Sequence, residues 1–308
     1  MPGHRFRGTC RRARGPGGAG GLGAAFDGSL RPADAGRRSF LPSLLAPGAA
    51  GGAGSRPAAR AQRGGRGCDS VTRHSDRWRP GPARAVLADR EVHVWRAGLV
   101  IGSEELRKFA SLLGSEETDR ARSCLLPVER RRFVAAHGSL RLVIARYVDR
   151  PAADLRFGRS ARGRPFLLEP GGSPIDFSLS HSSGTALIAV ARGRRVGVDV
   201  EQIDPAVDHR AMARRFLTAE EAEMIRVLPE EAARREFFMR WTWREAHAKA
   251  VDGPLSRVLD GLDPSRTPVR AGSWGLWRLP VGPEACATLA MARCRAPVLP
   301  LPLFEYSG

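Results

Sequence analysis

Residues Arg194 to Asp204 read RRVGVDVEQID, and polar and apolar positions alternate cleanly through the middle of the run. In a strand every second side chain points to the same face. Val196, Val198 and Val200 therefore point one way, into a core, while Asp199 and Glu201 point the other. Two carboxylates two residues apart on one strand face repel each other unless something positive lies between them. Upstream, EVHVWRAGL alternates as a strand, and SEELRKFASLLGSEETDRARSCL reads as helix with Ser103 as N-cap and Glu104 and Glu105 in the first turn. VERRRFVAAHGSLRLVIARYV places Phe133, Ala136, Leu140, Ile144 and Val148 on one helical stripe. DLRFGRSARGRPFLL suggests a hairpin, and DFSLSHSSGTALIAVA two strands joined by a Ser-His-Ser-Ser-Gly turn. Downstream, TAEEAEMIRVLP carries a capping box, with Thr218 as N-cap and Glu221 at N3. REFFMRWTWREAHAKAV is an amphipathic helix, and GSWGLWRLP and ACATLAMARC read as closing strands.

Strands and helices mix without strict alternation, and no glycine-rich phosphate loop follows a strand, so the pattern implies α+β rather than a dinucleotide fold. Helix followed by short strands occurs on each side of Arg194, which suggests two similar lobes in one chain, 86–193 and 194–308. No stretch is apolar and long enough to span a bilayer. The five cysteines contain no C-x-x-C pair, which points to a reducing, cytoplasmic compartment.

Charge sets residues 1–85 apart. They hold 16 arginines against 4 aspartates, about +12 of the formal +18, in a setting of glycine, alanine and proline. So little apolar surface cannot offset ordering entropy, and a disordered extension is expected. Three readings stand open for it: a nucleic-acid-binding arm, a targeting peptide, or upstream sequence from a start codon placed too early, the true start being a non-AUG codon near Val71 or Val86.

Lys108 and Lys249 are the only lysines. Trp241, Glu245 and Lys249 fall at i, i+4 and i+8, along one face of their helix. An exposed Glu–Lys pair and a solvated strand face are the plain readings of these residues and of Asp199 and Glu201. The alternative is a hard oxygen site, with Asp199, Glu201 and Glu245 offering carboxylates to Mg²⁺, an ion that favours few carboxylates, water and phosphate oxygens. No histidine or cysteine cluster offers a softer metal a site. Around it, Ser180, His181, Ser182 and Ser183 suit a phosphate, Arg164 stands between glycine and proline, and Arg130, Arg131 and Arg132 open a helix.

FSLSHSSGTALIAVA, followed by VGVDVE, RRFLTAEE and FFMRWTWREAHAKAVDGPL, resembles the phosphopantetheinyl transferases of the broad-specificity kind that serve peptide and polyketide synthases. Their pattern is G-[VI]-D-[VI]-E and then W-[ST]-x-K-E-x-x-x-K, and the resemblance covers roughly 86–300. It implies two α+β lobes, related by a pseudo-twofold, with the active site in the cleft between them, and a monomer. It implies that Asp199, Glu201 and Glu245 hold Mg²⁺ against the pyrophosphate of coenzyme A. Lys249 and His181 would touch the phosphates, with Ser180 or Ser182 assisting, and Arg164 and Arg132 would meet the 3′-phosphate end. RRFLTAEEAEMI would lie near the surface that receives a carrier protein. Arg244 departs from the family's usual lysine, and Pro254 from its G-x-G-L ending.

The reaction so implied moves 4′-phosphopantetheine from coenzyme A to a serine hydroxyl of an apo acyl or peptidyl carrier protein, releasing adenosine 3′,5′-bisphosphate. Glu245, directly or through water, is the expected base, and Lys249 the expected partner of the developing charge. Carrier proteins are acidic, and the +6 left outside the extension suits such a partner. The rival readings are a nucleic-acid-binding protein driven by the basic arm and a metal-dependent phosphodiesterase.

Overall fold

The computed structural model describes residues 78–89, 91–169, 172–255, 269–271, 273–292 and 302–306. Most of the arginine-rich extension lies outside the described residues. The fold nevertheless begins ahead of Val86, the expected boundary. Arg79–Pro80 (β1) pairs with Phe304 and Glu305, and Trp78 Nε1 donates to the Pro280 carbonyl at 2.6 Å.

Two sheets carry the structure. The first runs β1, β11 (Leu303–Tyr306), β2 (Val92–Gly98), β6 (Thr185–Arg192) and β5 (Ile175–Ser182). The second runs β7 (Val196–Gln202), β10 (Ala285–Ala292), β9 (Trp274–Arg278) and β8 (Val269–Ala271). A small hairpin, β3 (Phe157–Arg159) and β4 (Pro165–Leu167), matches the one expected there. The helices are α1 (Ser103–Leu112), α2 (Ser115–Arg122), α3 (Pro127–Ala145), α4 (His209–Phe216), α5 (Ala219–Val227) and α6 (Glu230–Val251). This is the α+β class.

One order of elements occurs twice. β2 is followed by α1, α2 and α3 and then pairs antiparallel with β6, which pairs with β5. β7 is followed by α4, α5 and α6 and then pairs antiparallel with β10, which pairs with β9. The last strand breaks the pattern: β11 returns to lie parallel to β2, so 303–306 belong to the first sheet.

The valines of β7 do face a core. Val196, Val198 and Val200 pack with Val92, Val94, Leu187, Ala189, Leu289 and Met291, so the apolar faces of the two sheets share one interior. The far face of the first sheet packs Trp95, Phe177 and Ile188 on Leu140, Val143 and Ile144 of α3. The far side of the second packs Leu276 and Ala290 on Trp243, Ala246 and Ala250 of α6. Helix, sheet, sheet and helix form the layers.

Three local expectations change. The long helical stretch after Ile101 breaks at Gly114 into α1 and α2, and Gly102, not Ser103, is the N-cap of α1. Ser180, His181 and Ser182 lie in β5 rather than on a turn, and the hairpin closes over Ser183 and Gly184 alone. An extended run of alternating serines reads locally as turn chemistry, but pairing with β6 overrides that preference.

Candidate active site

α6 crosses β7 in backbone contact. A Cβ on Gly197 would stand 2.1 Å from the Ala246 carbonyl oxygen and 2.6 Å from the Ala250 nitrogen, so only glycine admits the helix this close. The helix therefore lies on the face of β7 that carries Asp199 and Glu201, and it brings Glu245 and Lys249 with it. Asp199, Glu201 and Glu245 are all nearly inaccessible, at 0%, 2% and 3% exposure. Neither a solvated strand face nor a surface Glu–Lys pair describes residues so placed. Trp241, one turn before Glu245, is buried against Phe216 and Phe237.

Lys249 is the positive group among the acids. Its Nζ donates to Asp199 Oδ1 at 2.6 Å and to Ser180 Oγ at 2.9 Å. Ser180 Oγ donates to Asp199 Oδ1 at 2.8 Å, and Ser182 Oγ to Glu201 Oε2 at 3.0 Å. Burial raises Asp199 above the ordinary carboxylate range against the pull of the Lys249 ammonium. Burial acts to lower Lys249, but Asp199, Glu245 and Glu201 together hold it above its usual value. Burial, with Asp199 and Glu201 adding to it against Lys249, pushes Glu245 up to about 8. One ammonium is not enough to keep all three acids ionised.

That imbalance bears on a metal. Among the described residues no three His, Cys, Asp or Glu side chains form a ready-made metal cage. The donor chemistry still fits a hard divalent cation, because Asp199 Oδ2 and Glu245 Oε1 are buried and accept no hydrogen bond. Such an ion needs only one or two carboxylates when waters and phosphate oxygens complete its shell.

A cationic corner adjoins the acids. Burial, with His137, Lys249 and Arg132 close by, pushes His181 down to about 4. Arg132 keeps 30% side-chain exposure and donates to Glu129 at 2.9 Å. His137, which the sequence reading missed, is fixed through Nδ1 to Glu117 at 2.8 Å. Its signal was its place one turn beyond Phe133, on which it stacks at 4.0 Å. Arg130 and Arg131 point elsewhere, to the carbonyls of Cys124 and Ile101.

Arg164 is not in that corner. It is 8% exposed and grips Asp176 with both Nη atoms at 2.7 Å, while donating to the carbonyls of Phe177, Val196 and Lys249. The contact with Lys249 O caps the C-terminal end of α6, where a cation is favoured. Arg164 thus joins the β3–β4 hairpin, β5, β7 and α6. Its donors meet protein groups, where a phosphate was expected from sequence.

Arg244 also has a definite partner. Successive helix residues lie 100° apart, so Arg244 points away from Glu245's direction, and its Nη2 meets Glu221 Oε2 at 2.6 Å. Arg240, one turn earlier, meets Glu221 Oε1 at 2.5 Å. α6 ends at Val251, with Asp252 in the left-handed region at φ 53°. The helix is therefore closed before Pro254 is reached.

This site has relatives. A family model for the 4′-phosphopantetheinyl transferase superfamily matches residues 195–279, from β7 through α6 to β9. The chain is 34% identical over 222 residues to the 4′-phosphopantetheinyl transferase HetI of Nostoc sp., covering 70% of this chain and 93% of that one. It is 24% identical over 162 residues to the 4′-phosphopantetheinyl transferase Sfp of Bacillus subtilis, covering 53% and 70%. It is 26% identical over 165 residues to the human L-aminoadipate-semialdehyde dehydrogenase-phosphopantetheinyl transferase, covering 50% and 53%. The chain belongs to the 4′-phosphopantetheinyl transferase superfamily. It is an enzyme, a transferase of that phosphorus-containing group. Among the described residues, no helix is long and apolar enough to cross a membrane.

Proposed function

We propose that the enzyme transfers 4′-phosphopantetheine from coenzyme A to a serine hydroxyl of an apo carrier protein, with Mg²⁺, releasing adenosine 3′,5′-bisphosphate. The observation that carries this reading is the burial of Asp199, Glu201 and Glu245 around Lys249, beside a corner lined by His181 and Arg132. The twofold repeat of element order supports two related lobes, with the cofactor in the cleft where β5 and β7 meet.

Asp199, Glu201 and Glu245 would hold the cation, which when bound neutralises charge on the pyrophosphate. Lys249 and His181 donate to phosphate oxygens, and Arg132 faces the 3′-phosphate end. Ser180 assists by holding Lys249 and Asp199 in place. Glu245 accepts the proton of the attacking serine. A bond forms between the serine oxygen and the β-phosphorus as the bond to the bridging oxygen breaks, and charge on the leaving phosphate meets Lys249. Arg214 and Arg215 of α4 are exposed, which suits docking of an acidic carrier protein. The enzyme acts as a cytoplasmic monomer.

Intact mass spectrometry tests this directly. The full chain, coenzyme A, Mg²⁺ and an apo acyl carrier protein should yield a carrier heavier by one phosphopantetheine. A carrier of unchanged mass, or one modified equally well in excess chelator, contradicts the proposal.

A further inference from the structure

The two sheets meet at β5 and β7, each at the end of its own sheet. An edge strand exposes backbone N–H groups that must be satisfied. On β7 they are satisfied by side chains of β5. Val196 N donates to Asp176 Oδ2 at 2.8 Å, Val198 N to Ser178 Oγ at 3.1 Å, Val200 N to Ser180 Oγ at 3.4 Å and Gln202 N to Ser182 Oγ at 3.0 Å. The sequence offset is 20 at every rung, so the two strands run in the same direction in fixed register. Alternate positions of β5, Asp176, Ser178, Ser180 and Ser182, thus stand in for the carbonyls of a neighbouring strand.

A hydroxyl has one proton and two lone pairs. Ser180 and Ser182 each accept from a β7 N–H, so their protons remain to be given, and they go to Asp199 and Glu201 respectively. Each of these serines therefore reads the position of the β7 backbone and fixes a carboxylate on the same strand. Asp199 Oδ1 is occupied by Ser180 and Lys249, which leaves Oδ2 buried and without a hydrogen-bond partner. Ser178 makes a rung of the same kind but touches none of the three acids.

We infer that Ser180 and Ser182 are positioning residues: through the side-chain ladder between β5 and β7 they orient Asp199 and Glu201 toward the divalent cation. This rests on the reading that those carboxylates hold a cation. It turns the two hydroxyls toward the carboxylates, where Ser180 or Ser182 was expected to assist at the phosphates, and it makes cation affinity depend on the seam between the sheets.

The test compares Ser182→Ala with Ser178→Ala in the full chain. Mn²⁺ affinity is measured by calorimetry and stability by urea unfolding. Each variant loses one rung, so both should lower the urea midpoint by a similar increment. Only Ser182→Ala should weaken Mn²⁺ binding, by about tenfold or more, the usual cost of losing a partner that orients a ligand. Ser182→Thr, which keeps the hydroxyl, should restore affinity. Parental Mn²⁺ affinity in Ser182→Ala, or an equal loss in Ser178→Ala, overturns the inference. A parent chain that binds no Mn²⁺ at all overturns the cation reading beneath it, and this inference with it.

Discussion

Gly197 and Ala246 touch through their main chains: a methyl group on Gly197 would fall 2.1 Å from the Ala246 carbonyl oxygen. The distance between β7 and α6 is set there, two residues before Asp199 and one residue after Glu245. Gly197→Ala must push the helix outward or bend the strand. Overpacking of this kind costs about 1–3 kcal/mol. The larger effect is on catalysis, because a displacement of about 1 Å at reacting groups can cost a hundredfold in rate. Initial rates of carrier modification, compared with urea midpoints, will show a rate loss well beyond the loss of stability.

Glu221 holds two buried guanidiniums, Arg240 and Arg244, and caps its own helix through Thr218 N at 3.2 Å. Glu221→Gln removes the carboxylate that Arg244 meets and one of the two on Arg240, which keeps Glu236 at 2.8 Å, and should destabilise the fold by about 3–5 kcal/mol. Arg244→Lys, which writes the lysine usual in the family, keeps the charge and should cost less than Glu221→Gln. Urea unfolding of the two variants orders them.

The same arrangement recurs in the first half of the repeat. Glu117 on α2 accepts from Arg141 Nε at 2.7 Å and His137 Nδ1 at 2.8 Å on α3. Burial works against the charged form, but His137, Gly114 N–H and Arg141 outweigh it and hold Glu117 at about 2, below its ordinary 4.5. Because the folded value is depressed, the stabilisation is complete above pH 4.5 and is lost as pH falls toward 2. Its size is about 3 kcal/mol at 1.36 kcal/mol per pH unit. Urea midpoints of the parent should fall across that window, and those of Glu117→Gln should fall less.

Much of this was legible in the sequence, and the limits are physical. Period-two alternation at 196–201 gives β7 and the side of its carboxylates, and helical spacing gives Glu245 and Lys249 a common face. Thr218 and Glu221 announce the start of α5, and the structure keeps that capping box. Alternation cannot say what an edge strand bonds to, so the serines of β5 read as a turn. Charge cannot name a partner either: Arg164 between glycine and proline looks presented to a ligand until Asp176, far enough along the chain to lie on another strand, takes both Nη atoms. Arg79–Pro80 and Leu303–Tyr306 are too short to show periodicity, and only pairing makes them strands, β1 with β11 and β11 with β2.

His181 reports on the cationic corner. Burial and the neighbouring His137, Lys249 and Arg132 keep it at about 4, so it is neutral at pH 7. A phosphate-bearing ligand placed beside Lys249 and Arg132 favours the imidazolium and must raise that value. Histidine NMR titration of the full chain, with and without coenzyme A, should show an upward shift for one resonance that Arg132→Gln diminishes. No shift on saturation with coenzyme A would place the phosphates elsewhere.

The proposed reaction depends on Asp199 and Glu245 acting together from a strand and a helix. Intact mass spectrometry of an apo carrier protein, incubated with coenzyme A, Mg²⁺ and either Asp199→Ala or Glu245→Ala, measures that most directly. The phosphopantetheine mass increment should be absent with both variants under conditions where the parent completes the reaction. Modification at the parental rate by either one would contradict it.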